Sequence, residues 1–497
     1  MVDAQLPPSL ALKGMHRNTD SGEFKGSLRS FADRAEMEYD EEVLWYRFHT
    51  VRNGHTLKVN ATLLKGITVG ALGGLLFGFD TAVIAGTTRA LSRTFHLSPE
   101  ALGLTVSIAL WGTVAGSLCA GQLGQMLGGK RALRVMGFLY VISAAGSALA
   151  WNWPSLVAFR FIGGLGIGGS SVLGPVYMTE LAPPRWRGRL VGLFQINVVI
   201  GVLLAYFSNF VITSLALGAW GWRFELGIAG IPALIFFLLL LNVPESARWL
   251  VAQNRDAEAL SVLQLVEIDD PLQELEQIRT SMGEERIEKA ERLLQRKYAF
   301  PIFLAMSMGI FNQLSGINAI LYYLNDIFAA GGYGGMSSGL QAVAVGLMNL
   351  IATAVAISVI DKVGRKKLLL AGSVGMVIAL FSIAAIMFHR MPQYLLFPSL
   401  TAYTFSFAIS QGAVIWVFIS EVFSNRVRSK GQSVGSSAHW IMNAIVSGVF
   451  PAVAARSSAY PFVFFAVMMA VQFVVVLTVY PETKQLTLEQ LQQQLEA

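Results

Sequence analysis

Twelve times along 497 residues the chain runs for a helix's worth of apolar residues with hardly a charge, and that recurrence constrains its fold more than any other feature. A helix rising about 1.5 Å per residue crosses a hydrocarbon layer in roughly 20 residues, and inside lipid each backbone amide must be paired within its own segment. The runs fall at about 63–88, 101–124, 132–151, 155–179, 189–212 and 224–242. After a polar stretch they resume at about 300–328, 339–361, 367–388, 395–422, 431–454 and 460–480. Only 14% of the residues are charged, where a soluble protein carries about a quarter. The pattern predicts an all-α membrane protein of twelve transmembrane helices. The 48 glycines fit the close helix contacts that small residues permit in lipid, and the single cysteine, Cys119, excludes an intramolecular disulfide.

Basic residues orient the spans. One set of loops carries Lys130, Arg131 and Arg134; Arg185, Arg187 and Arg189; Lys362, Arg365, Lys366 and Lys367; and Arg426, Arg428 and Lys430. The opposite set holds few. The positive-inside rule then puts both termini in the cytoplasm, as expected of a multi-pass protein of the cell's inner membrane. Because the cations sit in short loops between spans, the net charge of +6 is no sign of nucleic-acid binding. The expected organisation is a polar extension over 1–58, a six-helix half over 59–245, a cytoplasmic helical linker over 246–298, a second six-helix half over 299–482 and a tail over 483–497. No cleavable signal peptide is visible in the extension. Residues 36–52 suit an amphipathic surface helix; a disordered tail, or natural initiation near Val59, also fits.

The two halves repeat. Glu180 precedes Arg187 by seven residues as Glu421 precedes Arg428, an offset of 241 between the pairs. Pro244-Glu245-Ser246 recurs as Pro481-Glu482-Thr483 at an offset of 237, and Gly128 recurs as Gly364 at 236. Near-equal offsets predict duplicated bundles that rock about a central site.

Two charges of the first half lie well inside spans, away from their ends. Asp80, in GFDTAVIAG, and Arg160, in RFIGGLGIG, sit at depths of about 12 and 9 Å from the same side by helical rise. A buried charge costs roughly 2.5–3.5 kcal/mol on insertion scales, so each is expected to face a partner or a wet path. A direct or water-bridged pair follows, and protonating Asp80 would weaken it. A purely structural ion pair is the alternative. GGLGIGG (Gly163–Gly169) has no preceding strand and reads as packing, and no nucleophile, metal-ligand or nucleotide constellation suggests an enzyme or a cofactor.

From about residue 62 to 492 the chain resembles the sugar porter family of the major facilitator superfamily. The matching segments, in order, are GFDTAVIAG, RFIGGLGIG, ELAPPRWRG, PESARWL, QLSGIN, DKVGRKK and PETK. Within the family it is most like bacterial proton–sugar symporters of the xylose type; passive relatives usually carry Asn at the position of Asp80. The resemblance implies proton coupling through Asp80 and Arg160. It assigns sugar contacts to the amides Gln195, Asn312, Gln313, Asn318 and Asn349 and the aromatics Tyr323 and Trp416, since amides both donate and accept and ring faces pack on sugar C–H groups. Asn312, Val202 and His439 depart from the pattern. Each stands where relatives carry Gln or another amide, and His439 can bond a sugar hydroxyl, respond to pH or simply join helices.

Glu180, Arg187, Glu245, Arg248, Asp361, Arg365, Glu421 and Arg428 are expected to form a cytoplasmic ion-pair network that closes the inner side. In the first half, Gln125 and Gly129 replace its usual acid and base, which predicts a weaker latch there. The resulting expectation is proton-coupled symport of a hexose or pentose, such as glucose or xylose, by a monomer in the lipid bilayer. Passive uniport of a sugar or polyol is the runner-up, and a transporter-like sugar sensor the rival from another class.

Overall fold

The computed structural model describes residues 61–182, 187–266, 270–287, 293–389, 391–424 and 427–484, all within the compact unit Val59–Ala497. The extension 1–58, with its amphipathic stretch, and residues 485–497 of the expected tail lie outside the described residues.

The described residues form helices and no strands. The first half comprises α1 (Ala61–Phe95), α2 (Pro99–Leu127), α3 (Gly129–Ala148), α4 (Trp153–Leu181), α5 (Arg187–Ser214), and a broken sixth span made of α6 (Gly221–Gly227) and α7 (Gly230–Leu239). Three short helices follow in the linker: α8 (Ala247–Ala252), α9 (Asp256–Leu265) and α10 (Pro271–Ile287). The second half opens on a span in three pieces, α11 (Ala299–Leu314), α12 (Ile317–Tyr322) and α13 (Leu324–Ala330). It continues with α14 (Gly335–Val363), α15 (Arg365–Met387), α16 (Leu396–Phe407), α17 (Ala413–Glu421), α18 (Arg428–Arg456) and α19 (Tyr460–Thr478). A π-helical turn, Ala408–Gly412, joins α16 to α17.

Eleven of the spans are long and apolar enough by themselves to cross a membrane. The twelfth is α3, only 20 residues long and opening on Lys130, Arg131 and Arg134, which dilute its hydropathy. Local chemistry sets the helix ends. Ser98 caps α2 by accepting from Ala101 N, and Asn152 with Ser155 forms a reciprocal capping box at the start of α4.

The break between α11 and α12 is at Gly316, whose φ of 85° is left-handed. A side chain there would meet the Phe465 ring at 2.2 Å, so both backbone freedom and space require glycine.

The duplication is visible in three dimensions. Gly128 and Gly364 both turn the chain with positive φ, 87° and 102°, just before α3 and α15. The Glu245 carboxylate accepts from Lys130 N at 2.8 Å, and Glu482 accepts from Arg365 N at 2.9 Å and Lys366 N at 3.2 Å. Each acid thus satisfies orphan N–H groups at a helix start, where the helix dipole favours an anion.

The cores divide unequally. At the end bearing the basic loops, each half has its own core: one joins Leu133, Tyr177, Leu240, Leu250 and Val262, so the linker packs on the first half, and the other joins Leu304, Leu368, Phe418 and Tyr480. Away from the basic loops, one core spans both halves through Ile84, Tyr206, Ile320, Phe328, Val345 and Phe450. There the backbones nearly touch, for a Cβ on Gly103 would lie 1.9 Å from the Gly448 carbonyl oxygen. The halves are therefore closed at one end, with a cavity between them.

Candidate functional site

Asp80 lies in the middle of α1 and Arg160 on α4, and Arg160 Nη1 donates to Asp80 Oδ1 at 2.8 Å. Both residues are buried, so the pair sits in a medium of low dielectric where neither charge is stable without the other. Arg160 Nε has no hydrogen-bond partner, and a narrow cavity beside the pair reaches between the halves. Its walls include Thr113 from the first half and Tyr322 and Trp440 from the second.

A larger, half-enclosed cavity of about 860 Å³, part of it open to solvent, adjoins this one. Gln195 on α5, Asn312 on α11, Asn318 on α12, Asn349 on α14, Trp416 on α17 and His439 on α18 all line it. Gln313 lies just behind this wall and organises it. Its Nε2 donates to Asn312 Oδ1 at 3.0 Å and lies 3.3 Å from the His439 ring nitrogens, while its Oε1 accepts from Asn318 Nδ2 at 3.1 Å. Asn312 Nδ2 is buried without a partner, a donor that a hydroxyl entering the cavity can satisfy. His439 packs between two indoles, its ring centroid 5.1 Å from that of Trp416 and 5.0 Å from that of Trp440. Val202 lines the cavity from α5 together with Val198 and Val199, which leaves Gln195 as the amide that this helix contributes.

Tyr323 is not brought to the cavity. Its hydroxyl donates to the Ser447 carbonyl at 3.1 Å and its ring stacks on Phe450 at 4.9 Å, both toward the closed end. Tyr322 takes the place at the cavity wall instead, held by a hydrogen bond from Asn443 Nδ2 to its hydroxyl at 3.3 Å. The chain kinks at Tyr323, between α12 and α13, and this kink decides which of two adjacent tyrosines turns inward. Phe77, Thr81 and Trp440 also line the cavity, though no sequence motif marks them as contacts. The only signal for Trp440 is that it follows His439; Phe77 and Thr81 flank Asp80 one helical turn or less away. Phe77, Thr81, Tyr322 and Trp440 line both cavities, so four side chains separate the ion pair from the amide-lined space.

At the basic end the expected network is present in parts. Arg365 pairs with Asp361 at 3.1 Å and with Glu421 at 2.9 Å, and Thr483 Oγ1 donates to Glu421 Oε2 at 2.6 Å. Arg428 Nε and Nη2 are buried without partners. Glu245 is engaged with the start of α3, while Glu180 and Arg248 line a separate pocket with Glu274 beneath the linker. The Arg187 side chain lies outside the described residues. In the linker, Arg255 grips Glu258 through two hydrogen bonds of 2.7 and 2.6 Å, which hold the Glu258 carboxyl below its usual range.

Residues 66–495 match the family model described as "Sugar (and other) transporter". The D-xylose-proton symporter of Escherichia coli is 34% identical over 473 residues, covering 87% of this chain and 96% of its own. The arabinose-proton symporter of Bacillus subtilis is 35% identical over 428 residues, covering 85% and 92%. Among solved structures, the inward-open conformation of the E. coli xylose transporter XylE superposes with a TM-score of 0.77 at 32% identity, covering 87% of this chain and 99% of that one.

Proposed function

The chain belongs to the sugar transporter family, and from that premise we propose that it carries a monosaccharide and a proton together across the inner membrane by alternating access. One observation carries this reading: a buried Asp80–Arg160 pair shares four wall residues with an amide-lined cavity between two duplicated halves. The basic loops lie on the cytoplasmic side, with both termini and the linker. The described state is then inward-facing, with the outer faces packed together.

The parts have complementary tasks. Gln195, Asn312, Gln313, Asn318, Asn349 and His439 offer donors and acceptors to sugar hydroxyls without adding charge, and Trp416, Trp440 and Tyr322 offer ring faces to sugar C–H groups. Arg160 Nη1 donates to the Asp80 side chain across the α1–α4 contact. A proton arriving on Asp80 removes the charge that Arg160 pairs with and frees the α1–α4 contact, biasing the halves toward a different arrangement. Because Tyr322 and Trp440 come from the second half, their position responds to sugar on one side and to the ion pair on the other. One proton moving down 100 mV provides about 2.3 kcal/mol, enough for roughly 40-fold accumulation. The protein acts as a monomer, each chain holding a complete cavity.

The test is uptake of radiolabelled glucose and xylose into proteoliposomes, with and without an inward proton gradient, for the parent protein and Asp80→Asn. The expected result is gradient-driven accumulation that the variant loses while it retains counterflow exchange. Equal, gradient-independent equilibration by both proteins would make this a passive carrier with a structural ion pair.

A further inference from the structure

We propose that Arg89 and Asp326 form the outer latch of the transport cycle, an ion pair made when the outer faces close and broken when they open. Neither residue lies in the motifs at the basic end or in the cavity wall. Arg89 sits on α1, nine residues beyond Asp80, and Asp326 on α13, 237 residues away in the other half. Arg89 Nε donates to Asp326 Oδ1 at 2.9 Å, and its Nη2 donates to the Asn325 carbonyl at 2.8 Å. The two contacts grip the start of α13 immediately after the kink at Tyr323. Close by, the Tyr206 hydroxyl of α5 donates to the Leu321 carbonyl at 2.8 Å, so two elements of the first half hold the same broken span.

Burial distinguishes this pair from the central one. The Arg89 and Asp326 side chains are 41% and 29% exposed, against 5% and 12% for Arg160 and Asp80. Both side chains reach the surface in part, so each charge recovers hydration as the pair opens, and parting costs less than it would for the buried central pair. Asp80 and Arg160, both in the first half, can stay together through a rocking motion; Arg89 and Asp326 cannot. The acids and arginines at the basic end close the inner side in the opposite state. The cycle would then be balanced by ion pairs at both ends, and the bias between states depends on Arg89 as well as on the cytoplasmic motifs.

The inference rests on the alternating-access reading, and the experiment separates the two. In a Cys119→Ser background, Ser447→Cys places a thiol where the side chain is fully buried in the closed outer face. A membrane-impermeant maleimide added outside reads outer opening as a labelling rate. Arg89→Ala and Asp326→Asn are expected to raise that rate about three- to tenfold. The swapped pair, Arg89→Asp with Asp326→Arg, should return it toward the parent, which misfolding would not do. Rates that respond to saturating sugar but not to either single variant, or a swap that leaves the rate high, would overturn the latch. Labelling indifferent to sugar and to every variant would overturn alternating access and the latch with it.

Discussion

Gln313 makes more of the site than any other single residue, although it stands behind the cavity wall. It touches Asn312, Asn318 and His439, so its amide fixes which way three other polar groups face. Gln313→Ala removes these bonds and strands buried partners, a cost of about 2–3 kcal/mol, or roughly 30- to 150-fold in sugar affinity. Quenching of Trp416 and Trp440 fluorescence by sugar would measure it. Tyr323→Phe deletes only the bond to the Ser447 carbonyl at the closed end. It should change affinity by less than about twofold while altering how firmly the outer faces close. A loss of affinity in Tyr323→Phe as large as in Gln313→Ala would mean that Tyr323 turns into the cavity when sugar binds. The amides of the site were legible because their types and order match the family's motifs. Tyr322 was not, since nothing in two adjacent tyrosines says where a helix will kink.

At the scale of the element, the spans were legible from hydropathy because lipid leaves a chain few alternatives to the helix. The breaks were only partly so: Gly316 announced one, whereas the kink at Tyr323 and the π turn at Ala408–Gly412 carry no glycine-rich or proline signal of their own before them. The duplication was legible from spacing, and the structure adds its asymmetry. In the second half Asp361, Arg365 and Glu421 join α14, α15 and α17. The equivalent positions in the first half hold Gln125 and Gly129, and the Gln125 carbonyl accepts instead from Trp249 Nε1 of the linker at 2.9 Å. A side chain at Gly129 would approach the Tyr177 ring at 3.1 Å, and that buried ring, tied by its hydroxyl to the Pro244 carbonyl at 2.6 Å, must give by a few tenths of an ångström to admit it. Gln125→Asp with Gly129→Arg, used once its folding is verified by monodisperse elution in detergent, should rebuild the missing pair. The expected outcome is a larger outward-facing population, read as outer labelling of Ser447→Cys; populations equal to the parent's would show that the first-half pair carries no bias.

For the whole molecule, the decisive feature is that the halves share a core at one end and keep separate cores at the other. Rocking must open the shared core, and the contact that limits how tightly it closes is between backbones. Gly103 on α2 faces Gly448 on α18 so closely that even a methyl group would meet the Gly448 carbonyl at 1.9 Å, and no rotamer can move a backbone oxygen aside. Gly103→Trp would wedge these helices apart and forbid the state described here, while leaving the amides of α11, α12 and α14 untouched. The two halves would remain folded, because α2 packs chiefly on α4 within its own bundle. Sugar binding from the outer side should then persist near the parent's affinity, whereas uptake and counterflow should both fall to background, since each needs the site to face inward. Binding by Trp416 quenching and counterflow in proteoliposomes separate the two quantities. Counterflow that survives Gly103→Trp would mean that the outer ends of α2 and α18 need not meet during transport, and that closure is made nearer the centre, around Phe77 and Trp440, whose rings already lie 5.4 Å apart across the halves.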